Sequence, residues 1–165
     1  MLASSLSGFA MLASSRWTTN RVRRFVRLRP SEQMAVLLAV LAAPIVRHLL
    51  DSRGYQAAAD MLRRRRRRPV AGLVEATTIS RLAESAMLWM PGRYSCLSRS
   101  LVVWWLVGGD EVSRIQLGVA PPSAGVVPRF HAWVEVEDVP INDLPDVGER
   151  YLPLTSPAPP PERFD

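Results

Sequence analysis

The sequence predicts an α+β fold, an N-terminal helical region followed by one more helix and a small antiparallel sheet. Three observations predict it. Apolar residues recur at helical spacing until the Gly108-Gly109 pair; beyond it the apolar period shortens to two; and Pro/Gly-rich stretches separate the alternating runs. A chain of 165 residues, 48% of them apolar, suits one domain with a real core. All 21 basic residues are arginine and the formal net charge is +6, so acidic peptides, nucleic acid or anionic lipid are all admissible partners. The single cysteine excludes an internal disulfide, and with only two histidines it also excludes a cysteine-rich zinc site. That usage fits a reducing cytoplasm.

The N-terminus, MLASSLSGFAMLASSRW, has no basic leading segment and serines interrupt its apolar stretch, so it reads as an extension rather than a secretion signal. MLASS occurs twice, which makes Met11 a candidate start. Arg21 to Arg29 interleaves arginine with Val22, Phe25, Val26 and Leu28, the pattern of a basic amphipathic helix that Pro30 ends. Ser31 then caps a helix that carries Glu32 in its first turn and continues through an apolar run. That run, Met34 to Val46, is about 13 residues against the ~20 a bilayer needs, so it predicts a core helix, while peripheral membrane contact stays open.

A further helix runs from about Gln56 into the arginines Arg63, Arg64, Arg65, Arg66, Arg67 and Arg68, and Pro69 closes it. Adjacent arginines cover every face, so they form either a solvated end or a docking surface for an acidic partner. Residues 70–90 place Leu73, Val74, Ile79, Leu82, Met87 and Leu88 at helical spacing before Pro91-Gly92. Ser95 is a good N-cap for a helix from Cys96, with Leu97, Leu101, Trp104 and Trp105 on its apolar face and Gly108-Gly109 as its stop. VSRIQLGV then alternates as a half-buried strand, residues 120–128 form a loop, RFHAWVEVE is a second strand, and DVPIND turns into a third, short one. SPAPPPERFD is an extended tail.

The chemistry gathers at Cys96. A thiol attacks as its thiolate, which a helix N-terminus and a nearby imidazolium both stabilise. Cys96 falls in a first helical turn; His131 starts the second strand on the face of Trp133 and Glu135; Asp143 on the next strand is the candidate to orient the imidazole. His48 reads as a helix-end residue. A two-residue connection at Asp138-Val139 puts His131 and Asp143 on opposite faces, whereas a three-residue one, Glu137 to Val139, puts them on the same face. The pairing therefore requires an odd-membered loop or a bulge.

A cysteine at a helix start, HAW on a strand and an aspartate shortly after resemble the transglutaminase-like, papain-type cysteine proteases. More closely, CLSRSL, WWL, IQLGV and FHAWVEVEDVPIND resemble the leader peptidases of lasso peptide biosynthesis, in the split form that lacks its own leader-binding domain. The resemblance spans roughly residues 34–154 and departs from the family at Pro128-Arg129-Phe130 before the histidine. It implies a transglutaminase-like helix-plus-sheet catalytic core, with Cys96 as nucleophile, His131 as base and then acid, and Asp143 as orienting carboxylate. It further implies hydrolysis of a ribosomally made precursor at its leader–core junction, without metal or other cofactor. The backbone N–H of Cys96 would form part of an oxyanion hole, with Tyr94, Ser95 and Trp133 as oxyanion or substrate candidates. The arginine run Arg63–Arg68 becomes a candidate partner surface. Implied partners are the precursor, a PqqD-like leader-recognition protein and an asparagine-synthetase-like cyclase, in the cytoplasm; no nucleic acid is expected. The expected organisation is a basic extension at 1–29, a helical subdomain at 30–90, the catalytic core at 91–155 and a Pro-rich tail at 156–165. Two alternatives stand beside it: acyl transfer by the same triad, and a non-catalytic basic adaptor for a membrane surface or nucleic acid. A Ser-nucleophile hydrolase is disfavoured by the lack of a G-x-S-x-G elbow.

Overall fold

Proline lacks the backbone N–H that a helix leaves unused in its first turn, and here it begins a helix instead of ending one. In the computed structural model, which describes residues 23–65, 69–70, 72–121 and 129–154, helix α1 runs Pro30–Arg64. Ser31 is therefore inside the first turn and not its cap, and Glu32 reaches back to accept from the Arg29 N–H at 2.8 Å. The chain forms two compact units, Met1–Met34 and Ala35–Asp165. In the first, the described helical turn at 23–26 is held by Gln33, whose side-chain amide donates to the carbonyls of Phe25, Val26 and Leu28.

The two predicted helices on either side of residue 54 meet within α1 at Gly54, whose φ of 79° breaks the helical geometry. The buried face of the second unit's part of α1 is built from small residues, Ala35, Ala39, Ala42, Ala43, Val46, Ala58 and Ala59, which let neighbouring elements approach closely. Burial as a core helix is met on that face only. Leu37, Val40, Leu41 and Ile45 are exposed, and the most apolar 18-residue window, of mean hydropathy 1.8, is 28% buried. By length and composition α1 is long and apolar enough to cross a membrane, contrary to the estimate from the Met34–Val46 run alone.

Helix α2, Leu73–Leu88, buries Ala76, Ile79, Ser80, Ala83 and Met87, while Val74 and Leu88 face outward although their spacing predicts a core role. Helix α3, Cys96–Val107, starts and stops as predicted, at the Ser95 cap and at Gly108 with φ 121°. Leu101 through Val107 are buried without interruption, so α3 is the central helix of the second unit's core, wrapped on all sides in its second half.

After a 3₁₀ turn at Gly109–Glu111 come β1, Ser113–Val119, β2, Phe130–Val136, and β3, Val139–Pro140. Two elements escaped the sequence reading, the one-turn helix α4, Val147–Arg150, and the short strand β4, Leu152–Pro153. The antiparallel sheet has the order β3-β2-β1-β4. Ala132, Val134 and Val136 of β2 are buried, the last two in the helical core, whereas Phe130, which the two-residue period puts on the same face, is exposed. The opposite face of the sheet is not simply solvated. Gln116 and Trp133 are buried there too, and Tyr151, between α4 and β4, sets its ring against that of Trp133.

The β2–β3 connection corrects the loop expectation. Val136 pairs with Val139 and Glu135 with Pro140, so the turn is Glu137-Asp138, two residues with φ of 52° and 63°. Positive φ at both positions is a type I′ turn, whose twist suits a tight hairpin. Continued in register, Asp143 would oppose Ala132 and point away from His131's face. It does not continue. The Ile141 N–H still donates to the Val134 carbonyl at 3.0 Å, but the Val134 N–H goes to the side-chain oxygen of Asn142 at 2.7 Å. The main chain leaves the ladder there, and that departure, rather than an odd-membered loop, releases Asp143.

Candidate active site

Ser95 has extended backbone angles and its Oγ accepts from the Ser98 N–H at 3.2 Å, so Cys96 is the first residue of α3. Its thiol is free and half-buried. The unpaired N–H groups of the first turn and the aligned peptide dipoles favour negative charge at this end.

His131 and Asp143 are brought together, Nε2 of the ring on Oδ2 of the carboxylate, with both side chains 18% exposed. The other oxygen, Oδ1, accepts from the Leu144 N–H at 2.7 Å and from Arg150 at 3.0 Å. Burial pushes the Asp143 carboxyl up, but the hydrogen bonds from His131 and Leu144, the charge of His131 and the Arg150 guanidinium together hold it below its usual range. An ionised carboxylate only accepts, so Nε2 carries the hydrogen and Nδ1 of the neutral ring keeps its lone pair. The geometry thus leaves Nδ1 as the basic nitrogen.

Aromatic rings fix the plane of that imidazole. Tyr151 stacks on it at 4.6 Å between centroids, and Trp133 lies 6.1 Å away on the same side of the strand. Gly118, opposite His131 in the ladder, makes room for both; a Cβ there would meet Tyr151 Cβ at 2.8 Å and the Trp133 ring at 2.9 Å. Trp133 Nε1 donates to Glu135 at 2.8 Å. Burial of Glu135 is outweighed by its bonds from Trp133, Gln116 and Arg114, which hold its carboxyl low. On the helical side, Arg99 lies one turn after Cys96 and pairs with Glu84 of α2 at 3.8 Å. Burial pushes the Glu84 carboxyl up, Arg99 opposes this, and the charge of nearby Asp143 adds to the rise.

The other sequence candidates fall differently. Trp133 is 1% exposed, with its N–H donated to Glu135 and its ring beside the imidazole. The Ser95 hydroxyl is likewise spent on the helix cap. Tyr94 is half-buried against the core beneath Arg47. Of the arginine run, Arg63 is engaged internally by Asp110 at 3.0 Å and Asp60 at 3.1 Å, Arg64 and Arg65 are exposed, and Arg66, Arg67 and Arg68 lie outside the described residues. His48 is exposed on α1. A cavity of about 250 Å³ lined by Arg63, Trp104, Trp105 and Asp110 lies at the C-terminal end of α3, roughly 18 Å along the helix from Cys96, and is not part of this site. Among the described residues no group of three or more His, Cys, Asp and Glu side chains is placed to hold a metal ion.

Four residues of the arrangement were missed in the sequence: Ser100, whose Oγ donates to the Ala132 carbonyl at 2.9 Å and accepts from Asn142 at 3.0 Å, and Asn142, Arg150 and Tyr151. Only Asn142 had a signal, an amide beside the carboxylate in PIND at the end of a strand.

A helix N-terminal cysteine before an antiparallel sheet whose histidine pairs with an aspartate just beyond the ladder fits a papain-type cysteine protease or acyltransferase in general. The family model of the transglutaminase-like superfamily matches residues 37–156, and the chain belongs to that superfamily. No curated protein and no solved structure matches the chain.

Proposed function

We propose that the protein is a cysteine peptidase using a Cys96-His131-Asp143 triad to remove the leader from a ribosomally made lasso peptide precursor. The His131–Asp143 pair carries the reading, because it presents Nδ1 as a base on the strand against which α3 is anchored. Cys96 and Ser100 are four residues apart and share a face of α3, and Ser100 is bonded to the Ala132 carbonyl at 2.9 Å, next to His131. Among the described residues the thiol makes no hydrogen bond to the imidazole; in the proposed reaction that bond forms when substrate binds.

Nδ1 takes the thiol proton as Sγ attacks the scissile carbonyl carbon. The oxyanion is stabilised by the Cys96 backbone N–H at the positive end of α3. The C–N bond breaks as the imidazolium returns its proton to the departing core amine, leaving the leader as a thioester on Sγ. Water, deprotonated by Nδ1, then adds to the thioester; the leader departs with a free carboxylate and the thiol regains its proton. Asp143 remains ionised throughout and holds the ring. In this reading a separate PqqD-like protein delivers the leader, and an ATP-using cyclase closes the freed amine onto an acidic side chain.

Acyl transfer differs only in the second step, where an amine replaces water. Incubation of a cognate precursor and its leader-recognition protein with wild type or Cys96→Ala, read by mass spectrometry, separates the possibilities. A free leader carboxylate made only by wild type is expected. Leader joined to an amine would replace hydrolysis by transfer, and undiminished cleavage by Cys96→Ala would end the proposal.

A further inference from the structure

Where β3 leaves the sheet, two main-chain groups of β2 lose their natural partners. The Val134 N–H would bond the Ile141 carbonyl in a continued ladder, and the Ala132 carbonyl would face the next residues of that strand. Unpaired buried groups of this kind are costly. Side chains fill both places. Asn142 Oδ1 accepts from Val134 N at 2.7 Å, Ser100 Oγ donates to Ala132 O at 2.9 Å, and Asn142 Nδ2 donates to Ser100 Oγ at 3.0 Å. The three bonds form one chain across three elements: the helix that begins with Cys96, the strand that carries His131, and the segment that carries Asp143.

Each member sits next to a triad position. Asn142 precedes Asp143, Ala132 follows His131, and Ser100 is one turn from Cys96 on the same helix face. Ser100 is 0% exposed, so its hydroxyl has no water to fall back on. Asn142 has a further task. By standing in for a main-chain carbonyl it lets the backbone turn out of register, and that turn is what carries Asp143 to the His131 side.

We infer that Asn142, through Ser100, is a positioning residue that sets the His131–Asp143 pair and the Cys96 helix in register with one another. Its catalytic consequence rests on the proposed triad; its effect on the His131–Asp143 pair does not. Aspartate cannot replace it, since a carboxylate keeps the acceptor for Val134 but loses the donor to Ser100.

The test uses the full chain and two probes that need no precursor. One is the downfield proton resonance of the His131 ring N–H bonded to Asp143. The other is the pH profile of Cys96 alkylation by iodoacetamide. Asn142→Ala should abolish the resonance as Asp143→Ala does, and should slow alkylation near neutral pH on the order of 10²-fold, the scale of an ångström misplacement. Ser100→Ala should act in the same direction by about tenfold, the worth of one hydrogen bond. The double variant should be no worse than Asn142→Ala, because one chain is cut either way. A lower melting temperature with resonance and alkylation profile both unchanged would overturn the inference, as would additive effects in the double variant. Should Asn142→Ala fail to fold, Ser100→Ala carries the same test, and unchanged probes there overturn it. His131→Ala separates the two proposals. If alkylation in wild type equals that in His131→Ala, the triad fails, while the resonance still reports whether Asn142 sets the His131–Asp143 pair.

Discussion

Replacing Gly118 by alanine tests the support of the imidazole by the smallest available change. Gly118 lies in β1 with His131 opposite on one side and Pro153 on the other. Extended backbone accepts alanine, and removing a strand glycine alone is worth about 0.5–1 kcal/mol in alanine's favour. Space decides otherwise. The added carbon would stand 2.8 Å from Tyr151 Cβ and 2.9–3.0 Å from the Trp133 ring, closer than carbon atoms pack. Tyr151 Cβ is tied directly to the backbone, and Trp133 is 1% exposed with Nε1 held by Glu135, so neither yields freely. Overpacking of this kind costs about 1–3 kcal/mol. The net expectation is a loss of up to about 2.5 kcal/mol, or a melting temperature up to roughly 10 °C lower by calorimetry. Moving Tyr151 also shifts the ring stacked on His131, so the proposed peptidase activity should fall further than stability alone explains. An alanine variant as stable as wild type, with unchanged activity, would refute the account of the aromatic wall.

Other expectations follow from the charges and the cap. Asp143→Asn keeps the shape and removes the charge that orients His131; since the Asp143 carboxyl is held low in the fold, its stabilisation is complete above the unfolded value of about 4 and is lost as pH falls through the folded one. Urea denaturation should accordingly show wild type ahead of Asp143→Asn at pH 7 and the gap closing as the pH falls below the ordinary carboxylate range; a gap independent of pH would contradict the assignment. Arg150→Ala removes one of three donors to Asp143, and because Arg150 is 42% exposed the stability change should stay below about 1 kcal/mol. Its signature should be an acid limb of the activity profile moved to higher pH, since the carboxyl loses a neighbouring cation. Ser95→Ala deletes the cap of α3 and should cost about 1 kcal/mol by thermal melting, with slower Cys96 alkylation as the first turn frays.

Local rules carried the sequence a long way where an element depends on its own residues. Ser95, Cys96 and Gly108 mark α3 because a cap hydroxyl and a positive-φ glycine act within one turn of where they stand. The period of two placed Ala132, Val134 and Val136 on a buried face for the same reason. What escaped is what depends on distant partners. The outward Val74 and Leu88 have the same spacing as core residues, and only the packing of α2 against its neighbours separates them from Ala76 and Ala83. Gln116 is buried with its amide on Glu135 and Trp133 opposite it in the ladder, and nothing near it in the chain announces those partners.

By itself the sequence singled out Cys96, His131 and Asp143 as candidates for a thiol, imidazole and carboxylate set, since residue type and element position are local matters; of these, the structure joins His131 and Asp143. Tertiary structure alone decided how His131 and Asp143 meet. The hairpin register pointed the carboxylate to the wrong face, and an amide side chain, satisfied by a serine some forty positions earlier, ended the ladder and reversed it. Hydrogen-bond groups of a broken strand must find partners wherever the fold places them, and that choice is made in space, not along the chain.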